Sequence, residues 1–285
     1  MSDEPLTYVR TGPPGAPAVV CLHGIGSNAD AFRDVLDLLP PTHQGIAPNL
    51  PGYGGSAPLP TTRPTVTDYA TTLVTFLDRL SLPRWHLVGS SLGALIAATI
   101  ATTHPDRVTS LLLTAPTTGS GRTPQTRQAE LDARADLIAL GPEKMAETRA
   151  PQLIAGDAPG PLHAAQEATR ALDPTAYMQA AHALASGDIF TCTPHIQART
   201  MVVCGTADTV APPTVHAQPI SRALPGSELV LLPDLGHVIE LESPTTLATL
   251  ITRHTTPPPE PRATSCIGVV GGHRGMVDWH LRALR

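Results

Sequence analysis

Short apolar runs recur along the chain, each closed by turn residues and followed by a stretch whose apolar positions fall at helical spacing. Ala18 to Leu22 (AVVCL) reads as a buried strand and leads into the loop HGIGSN. Between Asn28 and Leu39, the residues Phe32, Val35, Leu36 and Leu39 share one face, which predicts a helix. Ile46 and Ala47 begin a short strand that ends in NLPGYGGS. Thr65 can cap a second helix, which carries Leu73, Phe76, Leu77 and Leu80 inward and stops before Pro83. A strand at His86 to Val88, a tight turn at Gly89 to Gly93, a helix at Ala94 to Thr103 and a strand at Val108 to Leu113 complete the first half. This alternation predicts parallel strands joined by crossover helices.

The rhythm breaks at Pro116, and as far as Pro194 the sequence is Ala-rich, helix-favouring and without strand signals. It resumes with a strand at Met201 to Cys204, a helix at Pro213 to Leu224, a strand at Glu228 to Leu232 and a helix at Leu247 to Arg253. The expected organisation is an α/β core in two pieces, residues 1–115 and 196–254, interrupted by a helical cap at 116–195. A Pro-rich linker and tail follow at 255–285 and are too short to enclose a core of their own. Strand order cannot be read from these signals.

Composition narrows the function. With 285 residues, 41% of them hydrophobic and 15% charged, the chain is long enough for a substantial core, and with 3% aromatics that core must be aliphatic. A net charge of -5 offers no basic field for a phosphate backbone, so nucleic acid is not an expected partner. The acidic start MSDEPLTYVR does not resemble a secretory signal, and no segment has the length and apolarity of a membrane span. Cys21, Cys192, Cys204 and Cys266 lack the spacing of a zinc or redox site, which suggests a reducing, cytoplasmic setting with neither metal nor cofactor.

Candidate chemistry begins at Gly89-Ser90-Ser91-Leu92-Gly93, which fits G-x-S-x-G only with Ser91 at its centre. Small residues are needed there because the chain reverses sharply from strand to helix. The reversal lifts the serine hydroxyl to the carboxyl end of the sheet, beside the first amides of the helix. A serine needs a base, and among 12 histidines His237 follows a strand and a turn glycine, in LLPDLGHVIELESP. His86 and His104 read as structural, and His254 lies at the end of the core. Asp208, in CGTADTVAPP, also follows a strand and is preferred as the carboxylate partner over Asp234, which shares a loop with His237. His23-Gly24-Ile25-Gly26 follows the first strand, so the amide of Ile25, with that of Leu92, is expected to form an oxyanion hole.

These landmarks, together with Leu50 to Ser56, Gly205-Thr206-Ala207-Asp208, and Gly236-His237 with Glu242 and Pro244, resemble the α/β-hydrolase superfamily over residues 6 to 254. The resemblance is to its cap-bearing bacterial esterases and lactonases. LHGIGSNADAF and YMQAAHALASGDIF look like members similar to 3-oxoadipate enol-lactonase. It implies an α/β-hydrolase fold with a mostly parallel central sheet, and Ser91, Asp208 and His237 as nucleophile, acid and base.

Departures are present. The N-terminal segment is short for the family's opening hairpin, Asn49 stands where many relatives carry an acidic residue, and Ala94 replaces a glycine typical of carbon–carbon-bond hydrolases. A serine at 91 also argues against dehalogenases and epoxide hydrolases, which use an aspartate there.

The expected activity is hydrolysis of an ester or lactone of a small metabolite through an acyl-enzyme. The alternatives are a ligand-binding or receptor-like protein on the same scaffold, and an acyltransferase or lyase using the same residues. A carboxylate-bearing substrate would require a cation from the cap, where Arg122, Arg127, Arg134, Arg149 and Arg170 are available; one of them is expected to face the pocket.

Overall fold

The computed structural model describes residues 6–119 and 123–256. Seven strands form one sheet: β1 (Tyr8–Thr11), β2 (Ala18–Leu22), β3 (Gln44–Pro48), β4 (Trp85–Ser90), β5 (Val108–Thr114), β6 (Arg199–Gly205) and β7 (Glu228–Leu232). Their order is β1-β3-β2-β4-β5-β6-β7. β1 runs antiparallel to β3, from Tyr8 opposite Pro48 to Thr11 opposite Gly45, and every other pairing is parallel.

The helices are α1 (Arg33–Asp37), α2 (Val66–Arg79), α3 (Leu92–Thr103), α4 (Pro124–Ala139), α5 (Pro142–Leu153), α6 (Pro159–Arg170), α7 (Pro174–Ser186), α8 (Ala217–Arg222), α9 (Ile239–Glu242) and α10 (Pro244–Thr255). Strand periodicity sorts the core. On β2, Ala18, Val20 and Leu22 pack with residues of α2, α3 and α8, whereas Val19 and Cys21 pack on the opposite face with α1, α9 and α10. β2 and β4 are buried along their whole length, which is why they read as unbroken apolar runs. On α3, nine of the 12 residues are buried, the signature of a helix enclosed on most sides. Four helices, α4 to α7, are inserted between β5 and β6.

Thr65 caps α2 as expected, with its side chain accepting from the Asp68 amide while the Asp68 carboxylate accepts from the Thr65 amide. Two expected helices are shorter than their periodicity suggested. Asn28 to Leu39 divides into a 3-10 turn at Ala29–Phe32 and the short α1. At its start the Ala29 amide is taken by Asn49 Oδ1, at 2.7 Å. In the stretch Pro213 to Leu224, only Ala217–Arg222 is helical, because Pro212, Pro213 and Pro219 remove amide donors. The antiparallel β1, which apolar patterning did not reveal, is a half-exposed edge strand. His254, placed by its position at the end of the core, is buried and hydrogen-bonds the Leu111 carbonyl. The helix runs through Thr255, the first residue of the expected linker; Arg122, Cys266 and the tail from 257 onward lie outside the described residues.

Candidate active site

The carboxyl ends of β2, β4, β6 and β7 bring the expected residues together around one cavity of about 1010 Å³, lined by Ile25, Ser91 and His237 among others. Ser91 sits between β4 and α3 with φ 54° and ψ −112°, a conformation that costs an L-residue on the order of 1–3 kcal/mol and persists only where packing enforces it. Packing does so here. A Cβ on Gly89 would lie 2.3 Å from the Gly93 carbonyl oxygen, and one on Gly93 would lie 2.2 Å from the Leu22 carbonyl oxygen. Glycine on either side of the serine is therefore what lets β4, α3 and the end of β2 close together.

Asp208 Oδ2 accepts from His237 Nδ1 at 2.8 Å, and both residues are buried. Asp208 Oδ1 accepts from the amides of Val210 and Ala211, at 2.9 and 2.8 Å. Burial pushes this carboxyl up. The hydrogen bond and charge of His237 and the two amides outweigh that and hold it below the usual carboxylate range. An ionised Asp208 can only accept, so His237 Nδ1 carries the proton of this bond, and in the neutral ring Nε2 keeps a lone pair. Asp234 is exposed and turns the loop at φ 59°, and its amide donates to Thr206 Oγ1 at 3.0 Å. The structure thus pairs His237 with Asp208.

Leu92 is the first residue of α3, so its amide has no acceptor within the helix. Ile25 occupies the loop after β2, beneath the cavity. His23 is fully buried. Its Nδ1 donates to the Gly24 carbonyl at 2.8 Å and its Nε2 accepts from the Leu50 amide at 3.0 Å. Both ring nitrogens are thereby committed to neighbouring loops, and burial lowers the imidazole to about 4. Asn49 accepts from the Ala29 amide and donates to Thr7 Oγ1, which ties three loops together.

The helical insertion supplies a further part of the cavity wall. Arg134 of α4 and Arg149 of α5 both line it; Arg127 and Arg170 do not. Arg134 donates to Tyr177 Oη at 3.0 Å and lies 3.6 Å from Glu130. Arg149 donates to Gln152 Oε1 at 2.7 Å, and no carboxylate among the described residues forms an ion pair with it. Burial lowers its guanidinium from the ordinary arginine value. The insertion is also tied to the His237 loop: the His237 amide donates to the Leu153 carbonyl, and Glu242 accepts from the amides of Ala155 and Gly236.

Sequence reasoning passed over two residues. His216 lines the cavity and its Nδ1 accepts from the Thr118 amide at 3.1 Å. Glu240 is 1% exposed and accepts from Ser90 Oγ at 3.0 Å. A glutamate embedded in the apolar stretch VIELE, three residues after His237, was the available signal. Among the described residues no group of three or more His, Cys, Asp or Glu is placed to hold a metal, and no helix is long and apolar enough to cross a membrane.

An open parallel sheet with a serine at a strained strand-to-helix turn and a buried Asp–His pair at neighbouring strand ends defines a class of proteins. The sequence profile of the alpha/beta hydrolase fold matches residues 17–244, and the chain belongs to that family. It is 36% identical over 134 residues to a putative carbamate hydrolase, RutD, of Variovorax paradoxus; the match covers 45% of this chain and 50% of that relative's length. Among solved structures it is similar to a thermophilic esterase from Thermogutta terrifontis, with a TM-score of 0.79 and 24% identity over 87% of this chain and 92% of the other. It is also similar to an enol-lactonase from Burkholderia xenovorans, with a TM-score of 0.78 and 21% identity over 87% and 95%.

Proposed function

We propose that the protein hydrolyses a carboxylic ester or lactone of a small metabolite through an acyl-enzyme, with residues 116–195 acting as a cap over the site. The observation that carries this reading is the buried Asp208–His237 hydrogen bond opening onto the same cavity as the strained Ser91. Ser91 Oγ attacks the carbonyl carbon and passes its proton to His237 Nε2, while the amides of Leu92 and Ile25 receive the oxyanion. The C–O bond to the leaving alcohol then breaks and His237 returns the proton to that oxygen; in a lactone the alcohol stays tethered. Water, deprotonated by His237, attacks the acyl-enzyme, and the acid and Ser91 are released. The buried, free Cys21 and Cys204 support a reducing, cytoplasmic setting.

The finer reading is a substrate carrying a carboxylate, as an enol-lactone does. Arg149 supports it, since a half-buried guanidinium in no ion pair among the described residues gains from an anionic ligand, and Arg134 lines the same cavity. The test compares two nitrophenyl esters of equal chain length, one ending in a carboxylate and one in a methyl group. The carboxylate ester is expected to show the higher kcat/KM, and Arg149→Ala to lower it about 10- to 100-fold while leaving the neutral ester unchanged. Equal losses on both esters would remove the anionic substrate but keep the hydrolase; no turnover of either would sink the hydrolase itself.

A further inference from the structure

Three carboxyl groups lie near His237, and two have their oxygens occupied. Asp208 accepts from His237 and from two amides, and Glu242 accepts from the amides of Gly236 and Ala155. Glu240, in the first turn of α9, is different. Its Oε1 accepts from Ser90 Oγ at 3.0 Å, while its Oε2 is buried with no hydrogen-bond partner among the described residues. A buried carboxyl with a bare oxygen is costly, and a core helix turn has no packing need for it, since an apolar residue or a glutamine would serve.

Its surroundings explain its presence better than packing does. Ser90 is the residue before Ser91, so the Glu240–Ser90 bond joins the short helix after His237 directly to the nucleophile turn. The titratable groups near Glu240 are His237 and Glu242 on its own segment and Cys21 on β2, with Asp208 beyond His237. Cys21 is buried, and burial keeps its thiol protonated. The positive charge that can develop in this pocket is therefore that of the His237 imidazolium.

Resting on the reading of Ser91 as nucleophile and His237 as base, we propose that Glu240 is a positioning residue. It anchors Ser90 beneath the nucleophile and sets a second ionisable carboxyl on the segment that carries His237, so that the ionisation of Glu240 enters the pH dependence of the reaction. Burial pushes the Glu240 carboxyl up to about 7, against the opposing pull of its hydrogen bonds and of His237, so its charge changes within the neutral range. When ionised it stabilises the imidazolium formed as Ser91 attacks; when protonated it resembles a glutamine and gives no such support.

The experiment measures the rate at which a fluorophosphonate labels Ser91 as a function of pH, in the wild type and in Glu240→Gln. The substituted amide keeps a hydrogen-bonding oxygen but not the charge. The expected ratio of wild-type to variant rate is near one at mildly acidic pH and climbs through neutrality to about three- to tenfold. Ser90→Ala, which keeps the carboxyl but removes its donor, is expected to move the wild-type rise to higher pH. A ratio that stays constant across pH would mean that Glu240 only supports the fold, and the proposal fails; an unmoved rise in Ser90→Ala contradicts it in the same way. A wild-type protein that is not labelled at any pH overturns the hydrolase reading and this proposal together, an outcome distinct from labelling with an unaltered profile.

Discussion

Two equally buried histidines, one at each end of the sheet, are used in opposite ways. At the carboxyl edge, His237 is 4% exposed and faces an ionised carboxylate. At the amino edge, His254 is equally buried, but its Nε2 donates to the carbonyls of Leu111 and Arg199, both at 3.0 Å, and its Nδ1 accepts from Arg199. His86, nearby, shares a 2.8 Å bond with Ser110 Oγ and is lowered to about 4 by burial and by the neighbouring His43, His254 and Arg199. Burial is matched, so the partner decides. A carboxylate prepares an imidazole to accept a proton on its far nitrogen, whereas carbonyls, a hydroxyl and a guanidinium keep it neutral and turn it into a spacer between strands.

The sharpest way to break this contrast is to remove one histidine from each end. His237→Ala is expected to lower kcat by about 10⁴-fold or more with little change in thermal stability. His254→Ala, which strips a donor from two carbonyls, is expected to destabilise the fold by about 2–4 kcal/mol in urea melts while kcat per folded molecule holds. The reverse pattern would dissolve the distinction.

The next test is acid. His86 and His23 have folded values near 4, below the ordinary 6.5, so the unfolded chain binds more protons between those values. Their contribution to stability is present above about 6.5 and is lost as pH falls through about 4, by about 3 kcal/mol for the fully buried His23 and by less for the partly screened His86. Chemical unfolding followed from pH 7 down to 4 checks the sign.

Glu240 carries the opposite sign. Its folded value is raised from 4.5 to about 7, so the folded state binds the extra proton, and stability falls as pH rises across that window by about 3 kcal/mol. Glu240→Gln is expected to remove this decline. The smallest effect is Ser110→Ala, which takes one hydrogen bond from His86 and should cost about 1 kcal/mol, without a change in turnover.

The sequence exposed the buried strands and the turn that carries Ser91, because both are written in contiguous residues: AVVCL and HLV must be apolar on two faces, and G-S-S-L-G must be small. The contact between Asp208 and His237 was legible because each follows a strand end. What escaped is non-local. The edge strand Tyr8–Thr11 is specified by pairing with β3 rather than by its own pattern, and sheet order depends on which strands meet in space. The start of the 3-10 turn at Ala29 is held by Asn49, whose side chain takes the Ala29 amide from 20 positions away in sequence. Arg149 could not be separated from the other arginines of the insertion because α5 has no strong polar and apolar faces to show which way a side chain points. Glu240 is marked in sequence only by its place in the apolar stretch VIELE, and its partner Ser90 lies 150 positions earlier.

That Ser91 is a nucleophile activated by His237 is tested most directly by mass spectrometry of the protein after exposure to a fluorophosphonate. One adduct is expected, on the peptide containing Ser91, absent from Ser91→Ala and strongly slowed in His237→Ala. An unmodified wild-type protein, or an adduct that persists when Ser91 is replaced, would contradict the assignment.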